Sequence, residues 1–184
     1  MTALAERRMS FEEFLDFAEG RVGKWELVDG VPLAMSPERI VHGDLKYRVA
    51  RALDEAIARA RAPCRFVLDS AAVKIDARNA YQPDVMVYCG ETVSPDALFV
   101  ANPTIVVEIL SPSTALRDLR DKLAGYFTVA SVVHYLIVDS NEPLIIHHQR
   151  QGADILTRLL REGTIRLDPP GIEVAVARIY EAGA

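Results

Sequence analysis

Apolar and polar positions follow two rhythms along the chain, and the switches between them predict its elements. Ser10-Phe11-Glu12-Glu13 reads as a capping box, because Ser10 can accept from the amide of residue 13 while Glu13 reaches back. Phe11, Phe14, Leu15 and Ala18 follow at helical spacing, and Gly20 stops the helix. The runs 25–28 and 31–36 flank Asp29-Gly30, a hairpin dipeptide whose central residues must take positive φ. A second helix is predicted over 44–61, with Leu45, Val49, Leu53, Ala56, Ile57 and Ala60 as its apolar stripe and Pro63 ending it. Strands are predicted at 65–68, 72–75 and 84–88. The run 104–110 (TIVVEIL) is the most β-prone of the chain and is expected at the centre of a sheet. A third helix begins near Ser113 or Thr114, with Leu116, Leu119, Leu123, Tyr126, Phe127 and Ala130 facing the core. The strand 134–138 pairs with 144–148 through the turn 139–143, and short strands at 155–161, 164–167 and 172–176 close the chain. This order predicts one mixed α/β domain over residues 1–184, with a sheet between helices.

Composition narrows the class. The 184 residues are 50% apolar and 26% charged, which excludes a disordered or coiled-coil chain. No run of 18 apolar residues predicts a membrane span, and the opening MTALAERRMSFEEF does not read as a secretory signal. Cys64 and Cys89 follow no metal spacing, so two reduced thiols in a cytoplasmic protein are expected. The net charge of −5 argues against nucleic-acid binding by bulk charge. It leaves room for a local basic face. Lys46, Arg48, Arg51, Arg59, Arg61 and Arg65 stand against Asp54 and Glu55, a local excess of four positive charges. That stretch reads equally as a solvated helix face.

Glu108 is the most informative residue, because a charge inside an apolar strand is expensive unless it is paired or bound to a metal. Asp84 opens the apolar run 85–88. If 84–88 and 104–110 run antiparallel side by side, Asp84 and Glu108 converge at one end of the sheet. Two such carboxylates repel unless a cation neutralises them, and oxygen ligands select a hard ion such as Mg²⁺, with Mn²⁺ as a substitute. Lys122 falls on the flank of the third helix's core stripe, from which its amine could reach over the sheet end. It could equally bridge to Asp118 one turn away. His147 and His148 point to opposite faces of a strand and cannot chelate one metal together. No G-x-S-x-G elbow and no G-x-x-x-x-G-K-[ST] loop is present. The hydroxyls of Ser111-Pro112-Ser113-Thr114 read as helix caps that could also line a phosphate path.

Several of these residues carry a resemblance. Gln82-Pro83-Asp84, Val107-Glu108-Ile109-Leu110-Ser111-Pro112-Ser113-Thr114, Asp118, and Lys122-Leu123-Ala124-Gly125-Tyr126 resemble the Uma-two family of restriction-like endonucleases. The openings at 9–14 and 25–30 and the run 134–139 match too, so the likeness spans roughly 9 to 180. The family belongs to the PD-(D/E)xK phosphodiesterase superfamily. The resemblance implies a restriction-endonuclease-like α/β core and a Mg²⁺-dependent nuclease site. The superfamily usually places its lysine two residues after the second acid, where this chain has Leu110. Lys122 matches the lysine that stands in for it. Glu26 and His42 match further family positions: Glu26 as another acid at the metal or its water, or as an ordinary hairpin residue; His42 as a phosphate or water contact, or as a capping or packing group. On this reading Asp84, Glu108 and the Ile109 carbonyl hold one or two Mg²⁺. Lys122 then orients a water, and His42, Arg48, Arg51, Arg117 and Arg120 hold the DNA backbone. A homodimer is compatible with two-strand cutting. The rival readings are a non-catalytic nucleic-acid-binding or assembly module on the same fold, and a hydrolase of smaller phosphoesters.

Overall fold

The computed structural model describes residues 8–110 and 116–181, and the side chains of 116–119 lie outside that description. The predicted capping box forms: Ser10 Oγ accepts from the Glu13 amide and Glu13 Oε2 accepts from the Ser10 amide, opening α1 (Phe11–Ala18). Asp29 and Gly30 take positive φ, of 50° and 78°, and join β1 (Trp25–Val28) to β2 (Val31–Ala34). These two strands and the short β4 (Val73–Lys74) and β5 (Ala80–Tyr81) make a four-stranded sheet in the order β2-β1-β5-β4. Phe11 and Phe14 of α1 pack on it with Leu27, Ala72 and Ala80.

The main sheet has six strands, ordered β10-β9-β8-β7-β6-β3. They are β3 (Cys64–Leu68), β6 (Val85–Cys89), β7 (Pro103–Leu110), β8 (His134–Asp139), β9 (Ile145–Gln151) and β10 (Asp154–Leu160). As expected from its composition, β7 is internal, antiparallel to β6 and parallel to β8. Side chains alternate between two layers, as the period of two requires. Ile105, Val107 and Ile109 join Val85, Val87, Leu136 and Val138 on the face covered by α2 (Ile40–Ala60). Val106 joins Met86, Tyr88, Tyr135 and Ile137 on the face covered by α3 (Leu116–Tyr126). The hairpin β11 (Thr164–Leu167) and β12 (Ile172–Ala175) and the short α4 (Val176–Tyr180) pack beside α2 and complete that layer. The result is a mixed α/β domain with its sheet between helical layers.

Several boundaries differ from the sequence reading. Helix α2 begins at Ile40, four residues earlier, behind Arg39, which makes no side-chain cap bond. His42 therefore sits in its first turn rather than ahead of it. Ala130 is exposed beyond the end of α3, and the buried face of that helix centres on Lys122, Gly125 and Tyr126. Cys64 and Cys89 are not free thiols. They face each other in the β3–β6 register with Cα atoms 4.0 Å apart and form a disulfide. Nothing in a separation of 25 residues announces this, because the pairing is a product of register. Among the described residues no helix is long and apolar enough to cross a membrane.

Candidate active site

The site lies where β6 begins and β7 ends. Val85 pairs with Val107, so the next antiparallel step sets Asp84 against Glu108. The Ile109 amide donates to Asp84 Oδ2 at 2.6 Å, which ties the first acid to the strand that carries the second. Asp84, Glu108, Glu26 and Lys122 are each at most 8% exposed.

Glu108 points to the α3 layer. Its Oε1 accepts from Lys122 Nζ at 3.1 Å and from the Tyr126 hydroxyl at 2.7 Å. Lys122 Nζ also lies 2.9 Å from Glu26 Oε1, and Glu26 accepts from the Gln82 amide. A helix brings Lys122 and Tyr126 to one acid because residues four apart share a face. Close approach is possible because Gly125 stands between them: a Cβ there would lie 2.6 Å from Tyr81 Cε2. Burial drives the Glu108 pKa up. Lys122 opposes that, Asp84 and Glu26 add to it, and the outcome is about 7. Burial, together with the neighbouring Glu108 carboxylate, raises the Tyr126 hydroxyl well above its ordinary value, so it stays a donor.

Asp84 faces a second group of charges. Lys46 Nζ lies 2.7 Å from Asp84 Oδ1, 2.6 Å from Glu38 Oε2 and 3.0 Å from Asp69 Oδ1. Lys24 pairs with Glu38 at 2.9 Å and also with Asp69. His42 Nε2 is 3.3 Å from Asp84 Oδ2 and 3.8 Å from Glu38 Oε2, but is aligned for a hydrogen bond to neither. Burial alone would raise the Asp84 pKa. The imidazole, the Lys46 ammonium and the Ile109 amide outweigh it and bring the carboxyl down to about 2. Burial likewise works against the Lys46 ammonium, yet Asp84 and Glu38 overcome it and raise its pKa; burial and the adjacent Lys46 lower that of Lys24.

The residues fit a cation. Five carboxylates, Glu26, Glu38, Asp69, Asp84 and Glu108, meet three ammoniums, Lys24, Lys46 and Lys122. With all of them ionised, the two surplus negative charges match a divalent ion, and such an ion would offset the burial and the neighbouring acids that lift the Glu108 pKa.

Other sequence-based site residues lie elsewhere. Arg48 is not turned to this cluster: its guanidinium donates to Asp44 and to the Tyr180 carbonyl at 3.1 Å, tying α2 to α4. Arg51 lies 3.9 Å from Glu55 and over the Tyr47 ring. Arg120 is exposed on α3. The Arg117 and Asp118 side chains, and the run Ser111 to Thr114, fall outside the described residues. Ile109 takes part through its amide and Val138 is its β8 partner. His147 and His148 do face opposite ways, His147 to His134 and His148 to Thr157 and Tyr135. Sequence reasoning passed over Lys24, Glu38 and Asp69, and counted Lys46 on an open basic face although it is 3% exposed. One signal was available: His42 and Lys46 are spaced by four on one face of α2, and Glu38 stands four residues ahead of His42 in the segment leading into that helix.

Residues 11–177 match the model of a family described as Uma2, putative restriction endonuclease. This chain belongs to the Uma2 family. Two uncharacterized proteins of Synechocystis sp. are related to this Uma2 chain. One is 26% identical over 166 residues, covering 88% of this chain and 93% of its own. The other is 27% identical over 176 residues, covering 94% and 92%. The Uma2 fold is shared with a crystal structure described as a putative nuclease belonging to DUF820 from Anabaena variabilis. The TM-score is 0.74 at 13% identity, over 94% of this chain and 97% of that one. The family makes this Uma2 chain nuclease-like, and the structural match shows the shared fold.

Proposed function

We propose that this chain is a Mg²⁺-dependent endonuclease that hydrolyses phosphodiester bonds in DNA, with Mn²⁺ able to substitute. The observation that carries the reading is the buried meeting of Asp84, Glu108 and Lys122 from three separate elements. Burial of that many charges is costly, and a fold gains nothing in stability from it that apolar packing would not supply. Asp84 and Glu108, with the Ile109 carbonyl, would hold the ion. When bound, such an ion supplies charge neutralisation at the phosphate and lowers the pKa of a water. Lys122 presents an ammonium at the end of the sheet, where it orients the attacking water and steadies negative charge. Glu26 keeps that ammonium in place from the opposite side, and Tyr126 holds the Glu108 carboxylate in one rotamer. Arg120 offers an exposed cation for the phosphate backbone, a contact that adds affinity rather than sequence choice.

The test is nicking of supercoiled plasmid by purified protein with Mg²⁺ or Mn²⁺. Wild type should nick, and Glu108→Ala should lose activity by at least about a hundredfold while still folding. Equal cleavage by both would refute the site. DNA binding indifferent to metal, with no nicking by wild type, would instead fit a non-catalytic module, and a panel including RNA and small phosphodiesters defines the substrate.

A further inference from the structure

Beside Asp84 stands an imidazole whose distances to two acids are longer than those of the Lys46 ammonium. His42 is more than nine-tenths buried, at 8% exposure, and its Nε2 has no hydrogen-bond partner. A buried imidazole nitrogen left without a hydrogen bond is costly, so it needs a reason to be there. It lies 3.3 Å from Asp84 Oδ2 and 3.8 Å from Glu38 Oε2. Atoms of Glu38, His42 and Asp84 able to ligate a metal all lie within 4.8 Å of one another. Glu38 lies in the segment leading into α2 and His42 in its first turn, and Asp84 meets them from the head of β6.

We propose that Glu38, His42 and Asp84 form a second cation position, distinct from the one at Glu108, that takes a first-row transition metal such as Mn²⁺ in preference to Mg²⁺. The chemical reason is the donor set. Mg²⁺ takes oxygen ligands and parts with water reluctantly, whereas imidazole nitrogen suits the transition ions. An imidazole nitrogen and two carboxylate oxygens make a mixed nitrogen–oxygen site. Its remaining coordination positions would go to water or to substrate oxygen. The site shares Asp84 with the proposed nuclease centre, and in that respect rests on the same reading, but it needs neither Glu108 nor catalysis. Lys46 now holds Glu38 and Asp84 at 2.6 and 2.7 Å. Its ammonium keeps the two acids together, and an ion entering beside His42 would share them with it.

The experiment uses the full chain labelled with ¹⁵N-histidine, titrated with Mn²⁺ and read by pulsed electron paramagnetic resonance. Mg²⁺ and Mn²⁺ affinities are measured by calorimetry on the same samples. The expected result is a directly coordinated histidine nitrogen in wild type and in Glu108→Ala, and its loss in His42→Ala. His42→Ala should weaken Mn²⁺ about tenfold or more while changing Mg²⁺ by less than about threefold. Mn²⁺ binding without a coordinated nitrogen, a nitrogen that persists in His42→Ala, or no Mn²⁺ binding would overturn the site. A wild-type spectrum without a coordinated nitrogen overturns the site even if a variant fails to fold, and His42→Gln is the second variant that assigns a nitrogen that is seen. Plasmid nicking on these samples separates the two readings: coordinated nitrogen without nicking sinks the nuclease and keeps the site. Nicking that depends on Glu108 without coordinated nitrogen does the reverse.

Discussion

Glu108 is held at a carboxyl pKa of about 7, against an ordinary 4.5, chiefly by burial. A folded-state pKa raised above the unfolded one means that the native state favours the protonated acid. Stability from this group is therefore full below about pH 4.5 and is lost as pH rises through about 7. In metal-free protein, Glu108→Gln should raise the melting temperature at pH 8, with a difference that shrinks towards pH 4.5. Lys122 keeps a partner in that variant, because Glu26 lies 2.9 Å away. A lower melting temperature at pH 8 would show that the Lys122–Glu108 attraction outweighs the cost of burial. Both acids and the lysine were legible in the sequence, since a charge inside an apolar strand draws attention by itself. Lys24 and Asp69 were not, because their partners come from the segment before α2, from α2 and from the loop after β3. No local spacing joins those segments.

Between elements, the approach of α3 to the small sheet depends on Gly125. A Cβ at that position would press on the Tyr81 ring, so Gly125→Ala should cost about 1–3 kcal/mol in urea unfolding. The cost should fall in a Tyr81→Leu background, and an unchanged cost would move the cause away from the ring. A second inter-element device joins the main sheet to the C-terminal hairpin. His134 Nδ1 meets His147 Nε2 at 2.9 Å, and His134 Nε2 meets the Pro169 carbonyl at 3.1 Å, in the turn between β11 and β12. The carbonyl can only accept, so His134 carries its proton on Nε2 and His147 donates. Burial lowers both histidines to about 4, from 6.5. A depressed folded-state pKa gives stability that is present above 6.5 and lost as pH falls through about 4. Hydrogen exchange in β11 and β12 should accelerate across that window, and uniform protection down to pH 4 would contradict it. The long elements were readable because their apolar periodicity runs for many residues. Two-residue β5 and five-residue α4 have too few positions to show a period. Of the expected core face of α3, Leu123, Tyr126 and Phe127 do pack on the core, whereas Ala130 is exposed and Lys122 is buried among them.

At the scale of the whole molecule, the six-stranded sheet carries the two acids at adjoining strand ends, while helices on opposite faces supply His42 and Lys46 from α2 and Lys122 and Tyr126 from α3. The Cys64–Cys89 bridge pins β3, the outer strand of the sheet beside β6. It closes a stretch of 25 residues that includes Asp69 and Asp84. Its reduction should lower unfolding free energy by about 3 kcal/mol on loop entropy, measured by urea titration with and without reductant. No change would show that sheet pairing alone holds that edge. The account as a whole depends on an ion shared between chain segments far apart in sequence. A crystal soaked in Mn²⁺ and measured for anomalous scattering tests that most directly. The account predicts a peak at bonding distance from Asp84 and Glu108 together, with the Lys122 amine beside it. No peak in this pocket, or one bound elsewhere on the surface alone, would contradict it.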